Sequence, residues 1–243
     1  MWPVCKKEFR QFFSSLTGII AIAVFLLLNG LFLFVFPDTN MLDFGYATLD
    51  KFFGLAPWIL TFLVPAITMR SLADEFKTGT YEILQTKPLG YAPIVGGKYL
   101  GSLLIVVLAL LPTILYAFSM QSLSAGDTGI DVGGTIGAYI GLFFLAAVFT
   151  AIGICCSSLT SNAVVAFIVS AFACFILYTG FNAVSRIASL ATGAGYYIEM
   201  LGIDFHYRSI SRGVIDSRDI IYFISVIAFF LLFTQRNLIK RKP

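Results

Sequence analysis

Charged side chains are concentrated between residues 70 and 98, in an otherwise strongly apolar chain. Four of them are basic and three are acidic: Arg70, Lys77, Lys87, Lys98, Asp74, Glu75 and Glu82. Charges of both signs over so short a stretch can pair with one another or with the surface of another protein. These charges favour ionic contacts with another protein. Residues 70–98 are therefore the chain's best candidate for contact with a partner.

A nucleotide site is the catalytic alternative that this segment suggests, because Gly96 and Gly97 precede Lys98. The phosphate-binding pattern G-x-x-x-x-G-K-[ST] would need glycine in place of Ala92 and Ser or Thr in place of Tyr99. The sequence therefore predicts no nucleotide site, and any ATP hydrolysis must occur on another polypeptide.

Other catalytic or metal chemistry is equally poorly supported. His206 is the sole histidine, and a single loop imidazole is more typical of a hydrogen-bonding group at an interface than of a ligand or proton relay. The cysteines form no C-x-x-C pair and have no histidine nearby; they are Cys5, Cys155, Cys156 and Cys174. We expect no catalytic residue, metal or cofactor, and the chain is not predicted to be an enzyme.

The composition indicates an integral membrane protein. Of the 243 residues, 58% are apolar and 12% are charged, and the mean hydropathy is +0.90. A spanning helix needs about 20 apolar residues, so six spans would use about half of the chain. Too little remains for a second folded domain, and residues 1–243 are predicted to form one transmembrane domain.

Six apolar stretches are predicted to span the bilayer, at residues 18–36, 53–69, 99–118, 136–156, 163–183 and 220–234. Hydrocarbon offers backbone groups no partner, so each stretch must be helical. The predicted fold is an all-α membrane protein. Residues 1–15 mix aromatic and basic side chains, which favours a helix in the membrane interface whose simplest role is to anchor the first span.

The distribution of lysine and arginine predicts the orientation. Basic residues cluster in residues 1–15, 70–98 and 235–243, which would face the cytosol together with both termini, whereas residues 37–52 and 119–135 are acidic. The net charge of +3 then reflects the cytosolic side of a membrane protein near anionic lipid, and no nucleic-acid partner is predicted.

Within residues 70–98 the sequence predicts a helical hairpin. Ser71 and Asp74 fit a capping box that starts the first helix, and Gly79 can end it in the left-handed conformation. Thr80 would then cap a second helix, and Pro88 would close it. Leu72 and Phe76 form an apolar pair on the first helix, as do Ile83 and Leu84 on the second, which would leave Asp74, Glu75, Lys77 and Glu82 facing water or a partner.

Two further segments carry structural signals. Gly133, Gly137 and Gly141 form a doubled G-x-x-x-G, which predicts close helix packing against either a span of the same chain or a second subunit. Residues 185–219 alternate apolar stubs with glycines, and we expect this segment to lie at the outer membrane interface.

A family resemblance is carried by the run from Glu75 to Leu84, EFKTGTYEIL, followed by KPL at 87–89 and Gly97-Lys98. These residues resemble the cytosolic loop of ABC-2 type transporter permeases, apart from Phe76, where that family often has a basic residue. Further stretches resemble the gliding-motility-associated ABC transporter permease of Bacteroidetes: Phe36-Pro-Asp, Tyr46-Ala-Thr-Leu, Pro65 to Arg70, Gly141 to Leu145, Ser157-Ser-Leu-Thr and Tyr207 to Asp216. The likeness covers nearly the whole chain.

The resemblance implies a permease subunit in the bacterial inner membrane, whose loop docks on a separate ABC ATPase subunit. By position it gives a coupling role to Glu75, Gly79, Thr80, Glu82 and Pro88. It also implies a second membrane subunit or a homodimer copy, an outer-gate position for residues 196–201, and a role in gliding motility. Without the resemblance, the hairpin could equally be an interfacial element that stabilises the bundle.

Other function classes fit less well. An ion-coupled transporter would ordinarily place ionisable residues in its spans, and the predicted spans contain none. A channel would need a filter-like loop, and an intramembrane protease would need a carboxylate or histidine to activate water. A non-transporting membrane anchor or scaffold for a motility or secretion machine remains the strongest alternative, because it too would use a docking hairpin and uncharged spans.

Overall fold

The computed structural model describes residues 1–37, 40–41, 47–85, 90–124, 129–187 and 194–241, and these residues contain helices and no strands. The α-helices are α1 (Trp2–Phe13), α2 (Leu16–Phe34), α3 (Asp50–Thr68), α4 (Arg70–Thr78), α5 (Thr80–Gln85), α6 (Tyr91–Leu110), α7 (Ile114–Leu123), α8 (Val132–Leu159), α9 (Ala163–Phe175), α10 (Phe181–Ser185), α11 (Ala194–Met200), α12 (Ile203–Ser211) and α13 (Ser217–Lys240). The predicted all-α fold is confirmed.

Five helical segments are long and apolar enough to cross a bilayer: Asp50–Thr78, Tyr91–Leu123, Val132–Leu159, Ala163–Ser185 and Ser217–Lys240. A sixth is obtained when α1 and the apolar helix after it, which meet at 71°, are counted as one bent span. The sharp bend separates an amphipathic helix with basic residues from one without any charge. The predicted set of apolar segments is therefore present, although most extend beyond their predicted ends.

Helix α8 is the centre of the bundle. Of its most apolar stretch 83% is buried, against 17% for α13, and it packs on α3, α6, α9, α12 and α13. Helices in lipid gain little from apolar burial, so close approach of backbones past small residues must hold them together. Gly153 illustrates this, because a Cβ atom there would lie 2.1 Å from Thr68 Oγ1 of α3.

The boundary between the second span and the hairpin differs from the prediction. Helix α3 ends at Thr68 and α4 begins at Arg70, so that the two together form one helical segment of 29 residues. Similarly, α6 begins at Tyr91, eight residues before the predicted third span, and Lys98 lies inside the helix. The first arm of the hairpin is thus an extension of a span.

Two prolines lie inside α3, and one of them is compensated by another helix. Pro57 has no N–H, so the carbonyl of Phe53 one turn earlier loses its helical donor. The hydroxyl of Tyr207 in α12 donates a 2.7 Å hydrogen bond to that carbonyl. Burial raises the pKa of Tyr207 well above its usual range, so the phenol keeps the proton that this bond requires. The proline therefore joins the start of α3 to α12.

The bundle has two distinct ends. The hairpin end holds α1, α4, α5 and the beginning of α6, and the α12 end holds α11, α12 and the beginnings of α3, α8 and α13. The two ends are described separately below.

Candidate functional site

The hairpin end is organised around one buried cation, Lys98. Its side chain has 0% exposure. Lys98 Nζ donates hydrogen bonds of 2.7 Å to Glu8 Oε1 of α1 and 2.5 Å to the carbonyl of Ser71, and it pairs with Glu75 Oε2 of α4 at 2.9 Å. The ammonium nitrogen thus lies within 2.9 Å of three oxygens from two other helices. We call Lys7, Glu8, Glu75 and Lys98 the Lys98 cluster.

The Lys98 cluster is electrically balanced. Lys7 Nζ lies 2.6 Å from Glu75 Oε1, so each of the two carboxylates is matched by one of two cations. Ser71 Oγ donates to Glu8 Oε2 at 3.2 Å. Glu8, Glu75 and Lys98 are buried, whereas Lys7 is half exposed. Buried charges persist only when they are paired and hydrogen-bonded, and this pairing fixes the relative positions of α1, α4 and α6.

Glycines of α6 bring α1 close enough for this pairing. A Cβ atom at Gly97 would lie 2.8 Å from Val4 Cβ, and one at Gly101 would lie 2.8 Å from Glu8 Cβ. Gly97 and Gly101 form a G-x-x-x-G pattern on either side of Lys98, which explains why these glycines resemble but do not form a phosphate loop. Helix α1 therefore packs directly on α6, in addition to preceding the first span.

The predicted capping box at Ser71 is wrong, because a residue of α8 serves this helix start instead. Ser157 Oγ accepts hydrogen bonds of 3.1 Å from the N–H groups of both Leu72 and Ala73, and it donates to the carbonyl of Met69 at 3.0 Å. These are backbone groups at the junction of α3 and α4. Ser157 thus connects the central helix to the first arm of the hairpin.

The predicted exposure of Glu75 is also wrong, since only 5% of this residue is exposed. Its neighbours Asp74 and Lys77 are more accessible, as expected for the outer face of α4. Glu75 is thus held by the Lys98 cluster inside the protein, and little of it is accessible at the surface.

The tip of the hairpin matches the sequence prediction more closely. Gly79 ends α4 with φ +70°, in the left-handed conformation, and α5 begins at Thr80. Thr80 Oγ1 lies 2.9 Å from Thr78 Oγ1, and both Thr80 and Glu82 are exposed. Pro88 lies outside the described residues, and so do the side chains of Ile83 and Leu84, on which their predicted pairing depends. An exposed tip on a firmly held base is suited to contact with another protein.

Aromatic packing holds the two arms of the hairpin together. Phe76 of α4 meets Tyr81 of α5 edge to face, with ring centroids 5.0 Å apart. The guanidinium carbon of Arg241 lies 4.2 Å from the Phe76 centroid, close enough for a cation–π contact. Phe76, the position where the sequence departs from the ABC-2 pattern, therefore connects the hairpin to the end of α13.

At the α12 end, the doubled G-x-x-x-G of α8 packs against α12 of the same chain. A Cβ atom at Gly137 would lie 2.7 Å from the Cα of Gly213, and one at Gly141 would lie 3.3 Å from Ile210 Cγ2. Gly133 does not take part, because it is exposed and, among the described residues, its Cβ would meet only the carboxylate of Asp131. Two of the three predicted packing glycines thus have an intrachain partner.

His206 has a structural environment. Its Nδ1 lies 2.7 Å from Asp219 Oδ1 of α13, its Nε2 lies 2.9 Å from the carbonyl of Met200, and its ring stacks on Tyr222 at 3.9 Å. A hydrogen-bonding role is confirmed, but the residue is buried at 4% exposure and does not sit at a surface. It joins α12 to the start of α13.

Comparison with known proteins agrees with this architecture. The family model for ABC-2 family transporter proteins matches residues 2–234. The chain belongs to the ABC-2 transporter family. No curated protein sequence matches the chain.

Membership in the ABC-2 family makes the chain a membrane domain of an ABC transporter, a multi-pass protein of the bacterial inner membrane, and implies association with an ABC ATPase subunit. The matched region runs from α1 to α13, so that both the hairpin end and the α12 end belong to the ABC-2 unit.

Sequence reasoning about this ABC-2 protein missed Glu8 and the structural role of Lys98. The sequence predicts that Lys98 belongs to the cytosolic segment, because the third apolar stretch begins at Tyr99. Two features of the sequence could have predicted the cluster. One is the spacing of Gly97 and Gly101 around Lys98, and the other is Glu8 in the amphipathic segment at the N-terminus. Such glycines indicate that a second helix approaches, and a buried lysine then requires carboxylates from that helix.

Proposed function

We propose that the chain is the permease subunit of a bacterial ABC transporter, and that its hairpin couples ATP hydrolysis on a separate ATPase subunit to substrate movement across the inner membrane. The observation that carries this proposal is the attachment of an exposed hairpin tip to three membrane helices. Family membership supplies the ATPase as the expected partner.

Displacement of the hairpin would reach the bundle by three routes. First, α4 continues α3 in one helical segment. Second, Glu75 of α4 pairs with Lys98 of α6. Third, Ser157 of α8 accepts hydrogen bonds from the backbone at the α3–α4 junction. A push at the tip would therefore move three spans together. The N-terminal helix α1 would move with them, because Glu8 and Lys7 hold it to the same cluster.

The surface offered to the ATPase consists of exposed residues at the tip and on the outer face of α4, and it includes Lys77, Thr78, Gly79, Thr80 and Glu82. Glu75 acts beneath this surface as a positioning residue. Pro88 keeps its coupling role only by family position.

Charge reversal at the tip tests the docking step. We expect Glu82→Arg to weaken binding of the ATPase by about fivefold or more, because an exposed carboxylate at a protein interface contributes to affinity through a specific cation on the partner. The measurement is pull-down of the copurifying ATPase in detergent, with bound ATPase quantified. Arg218→Glu is the control, since Arg218 is an exposed charge at the α12 end.

Gly79 offers a second test in which only backbone conformation changes. A Cβ atom there would meet no atom of the described residues within 4 Å, so a substitution acts mainly through φ. Gly79→Val should reduce coupled ATPase activity because a β-branched residue is strained at φ +70°. Gly79→Asn should retain it, because asparagine tolerates the left-handed region. Equal activity of the two variants would mean that the turn is irrelevant to coupling.

Transport itself separates a permease from a membrane scaffold. Reconstitution of the purified complex in liposomes should give ATP-dependent flux, whereas a scaffold would bind the ATPase without flux. A role in gliding motility rests on resemblance to the Bacteroidetes permease. The test is whether deletion of the gene stops gliding and whether a reintroduced gene copy that carries Gly79→Asn restores it.

A second membrane subunit is also part of this proposal, either another copy of the chain or a homologous permease. Only 22% of the apolar stretch of α9–α10 and 17% of that of α13 is buried within the chain. These faces are free to contact lipid or a second subunit. The mass of the complex in native mass spectrometry would show whether one or two 26.6 kDa chains are present.

A further inference from the structure

A cavity of about 680 Å³ opens at the α12 end, between the start of α3, the π-helical turn Ile176–Gly180 and α12. Three arginines line it: Arg186, Arg208 and Arg212. Neither the Lys98 cluster nor the hairpin reaches this cavity. Its chemistry is therefore independent of the coupling role proposed above.

The arginines of the cavity are incompletely neutralised. Arg208 pairs with Asp204 and, at 3.2 Å, with Glu199, yet its Nε–H is buried without an acceptor among the described residues. Arg186 and Arg212 form no ion pair with any residue that the structure describes. The guanidinium groups of Arg186 and Arg212 therefore keep N–H donors for the oxygen atoms of a ligand.

Three carboxylates lie at or beside this space, and two of them are already engaged. Asp50 and Asp204 line the cavity, and Asp204 and Glu199 are both bound to Arg208. The formal charges of these arginines and carboxylates balance, so the attraction for an anion comes from the two guanidinium groups that have no ion pair among the described residues, those of Arg186 and Arg212. The cavity therefore favours an anion, and guanidinium groups are well suited to the oxygens of a phosphate.

An apolar track leads from the cavity along the outside of the bundle. Trp58 lines the cavity, is 44% exposed, and packs on Tyr178 and Phe175 with ring centroids 5.9 and 6.1 Å away. One turn further along the same two helices, Phe62 is 61% exposed and Phe172 is 64% exposed. An anion that binds the arginines could therefore extend an apolar chain over an apolar surface that faces hydrocarbon.

We propose that the cavity binds the phosphate head group of an anionic phospholipid, with the head group among the three arginines and an acyl chain along Trp58 and Phe175. The arginines lie beside an apolar track. A free phosphate ion would need only the arginines, whereas a phospholipid would use both. The site needs neither the ATPase nor transport activity.

Trp58 provides the measurement, because the chain has two tryptophans and the other is Trp2. Trp2 is 71% exposed on α1 at the hairpin end, and Trp2→Phe leaves Trp58 as the sole reporter. The purified variant would be titrated in neutral detergent with phosphatidylglycerol whose acyl chains carry bromine, which quenches nearby indole fluorescence. Brominated phosphatidylcholine measures quenching by lipid that surrounds the protein without selectivity.

We expect phosphatidylglycerol to quench Trp58 at a lower concentration than phosphatidylcholine, by about fivefold for each arginine that contacts the head group. Arg186→Gln with Arg212→Gln should bring the two lipids to nearly equal quenching, because the charge of the remaining Arg208 is already matched by Asp204 and Glu199. Arg218→Gln removes one exposed cation at the same end, outside the cavity, and should leave the preference unchanged.

Three results would overturn the proposal. Equal quenching by both lipids in the parent would show only nonselective surrounding lipid. A preference that survives loss of Arg186 and Arg212 would place the anion elsewhere. If inorganic phosphate alone relieves quenching by brominated phosphatidylglycerol, the site is one for free anions and not for lipid.

Discussion

The two ends of the molecule hold their helices together by different means. At the hairpin end, long side chains of opposite charge meet in the Lys98 cluster. At the α12 end, the Cα of Gly213 approaches α8 at Gly137, and the Tyr207 hydroxyl bonds the Phe53 carbonyl of α3. Among the described residues, the charged pairs at this end join α12 to α11 and α13, and not to the central helix. Charged contacts between long side chains can follow small displacements while staying paired, whereas a backbone contact cannot adjust.

This contrast suggests how force could pass through the bundle. We infer that the hairpin end moves as a connected unit and that the α12 end stays fixed as the bundle moves. If so, substitutions at the two ends should differ both in size and in whether a compensating change can restore stability. Thermal unfolding in detergent can be followed with a thiol-reactive fluorophore, because all four cysteines are buried.

Loss of the central cation should have the largest effect. Lys98→Met leaves Glu8 and Glu75 buried without their shared partner, and removal of one member of a buried ion pair costs about 3–5 kcal/mol. We expect a large fall in the unfolding temperature. Lys77→Met, in which an exposed lysine of the same hairpin is lost, should change it little.

The triple variant Glu8→Gln, Glu75→Gln, Lys98→Met tests whether charge pairing is the cause. Amides in place of both carboxylates remove the uncompensated charge, so this variant should recover much of the lost stability. If it is no more stable than Lys98→Met alone, packing and not electrostatics determines the loss.

A side chain at the backbone contact should have the second largest effect. Gly137→Val would place its Cβ 2.7 Å from the Cα of Gly213, and overpacking of this kind costs about 1–3 kcal/mol. Gly133→Val is the matched control on the same helix, because Gly133 is exposed. A similar loss in both variants would mean that the cost reflects helix propensity and not the contact with α12.

The glycines also show how far the sequence could predict the structure. The pattern Gly133, Gly137 and Gly141 predicted close packing correctly for two residues, but not its partner, since a short helix outside the spans fills the space. Hydropathy predicted the apolar segments well, because the thickness of the membrane fixes their minimum length and the need for internal backbone hydrogen bonds makes them helical. Their ends were missed because helices α3, α6 and α13 continue into polar sequence.

The hairpin was predicted in outline and not in its contacts. The end of α4 at Gly79 depends on the left-handed conformation of that residue alone, so the local sequence was enough to predict it. Glu75 and Ser71 were assigned to solvent and to a local cap, and both bind partners more than 60 residues away in α1. Pairs so far apart in the chain leave no periodic pattern in a single sequence. The amphipathic pattern alone therefore predicts that the charged residues of this helix lie on its solvent-exposed face.

Ser157 provides a smaller test at the hairpin end. Ser157→Ala removes the acceptor for the N–H groups of Leu72 and Ala73, and loss of a helix cap costs about 1 kcal/mol. We expect a modest fall in unfolding temperature with reduced coupled ATPase activity, because the α3–α4 junction would loosen from α8. Ser225→Ala is the control, since the Ser225 hydroxyl donates to the carbonyl of Ile221 in its own helix. Unchanged activity at lowered stability would limit Ser157 to a structural role.

Tyr207→Phe should have the smallest effect and completes the comparison of the two ends. The variant leaves the Phe53 carbonyl without the donor that replaces the missing N–H of Pro57, a loss of about 1 kcal/mol. Pro57→Ala would restore the helical donor, so the double variant should be more stable than Tyr207→Phe alone. If Pro57→Ala gives no rescue, the hydroxyl does more than compensate for the proline. Because this end is inferred to stay fixed, Tyr207→Phe should lower the unfolding temperature without changing coupled ATPase turnover, whereas Ser157→Ala should change both.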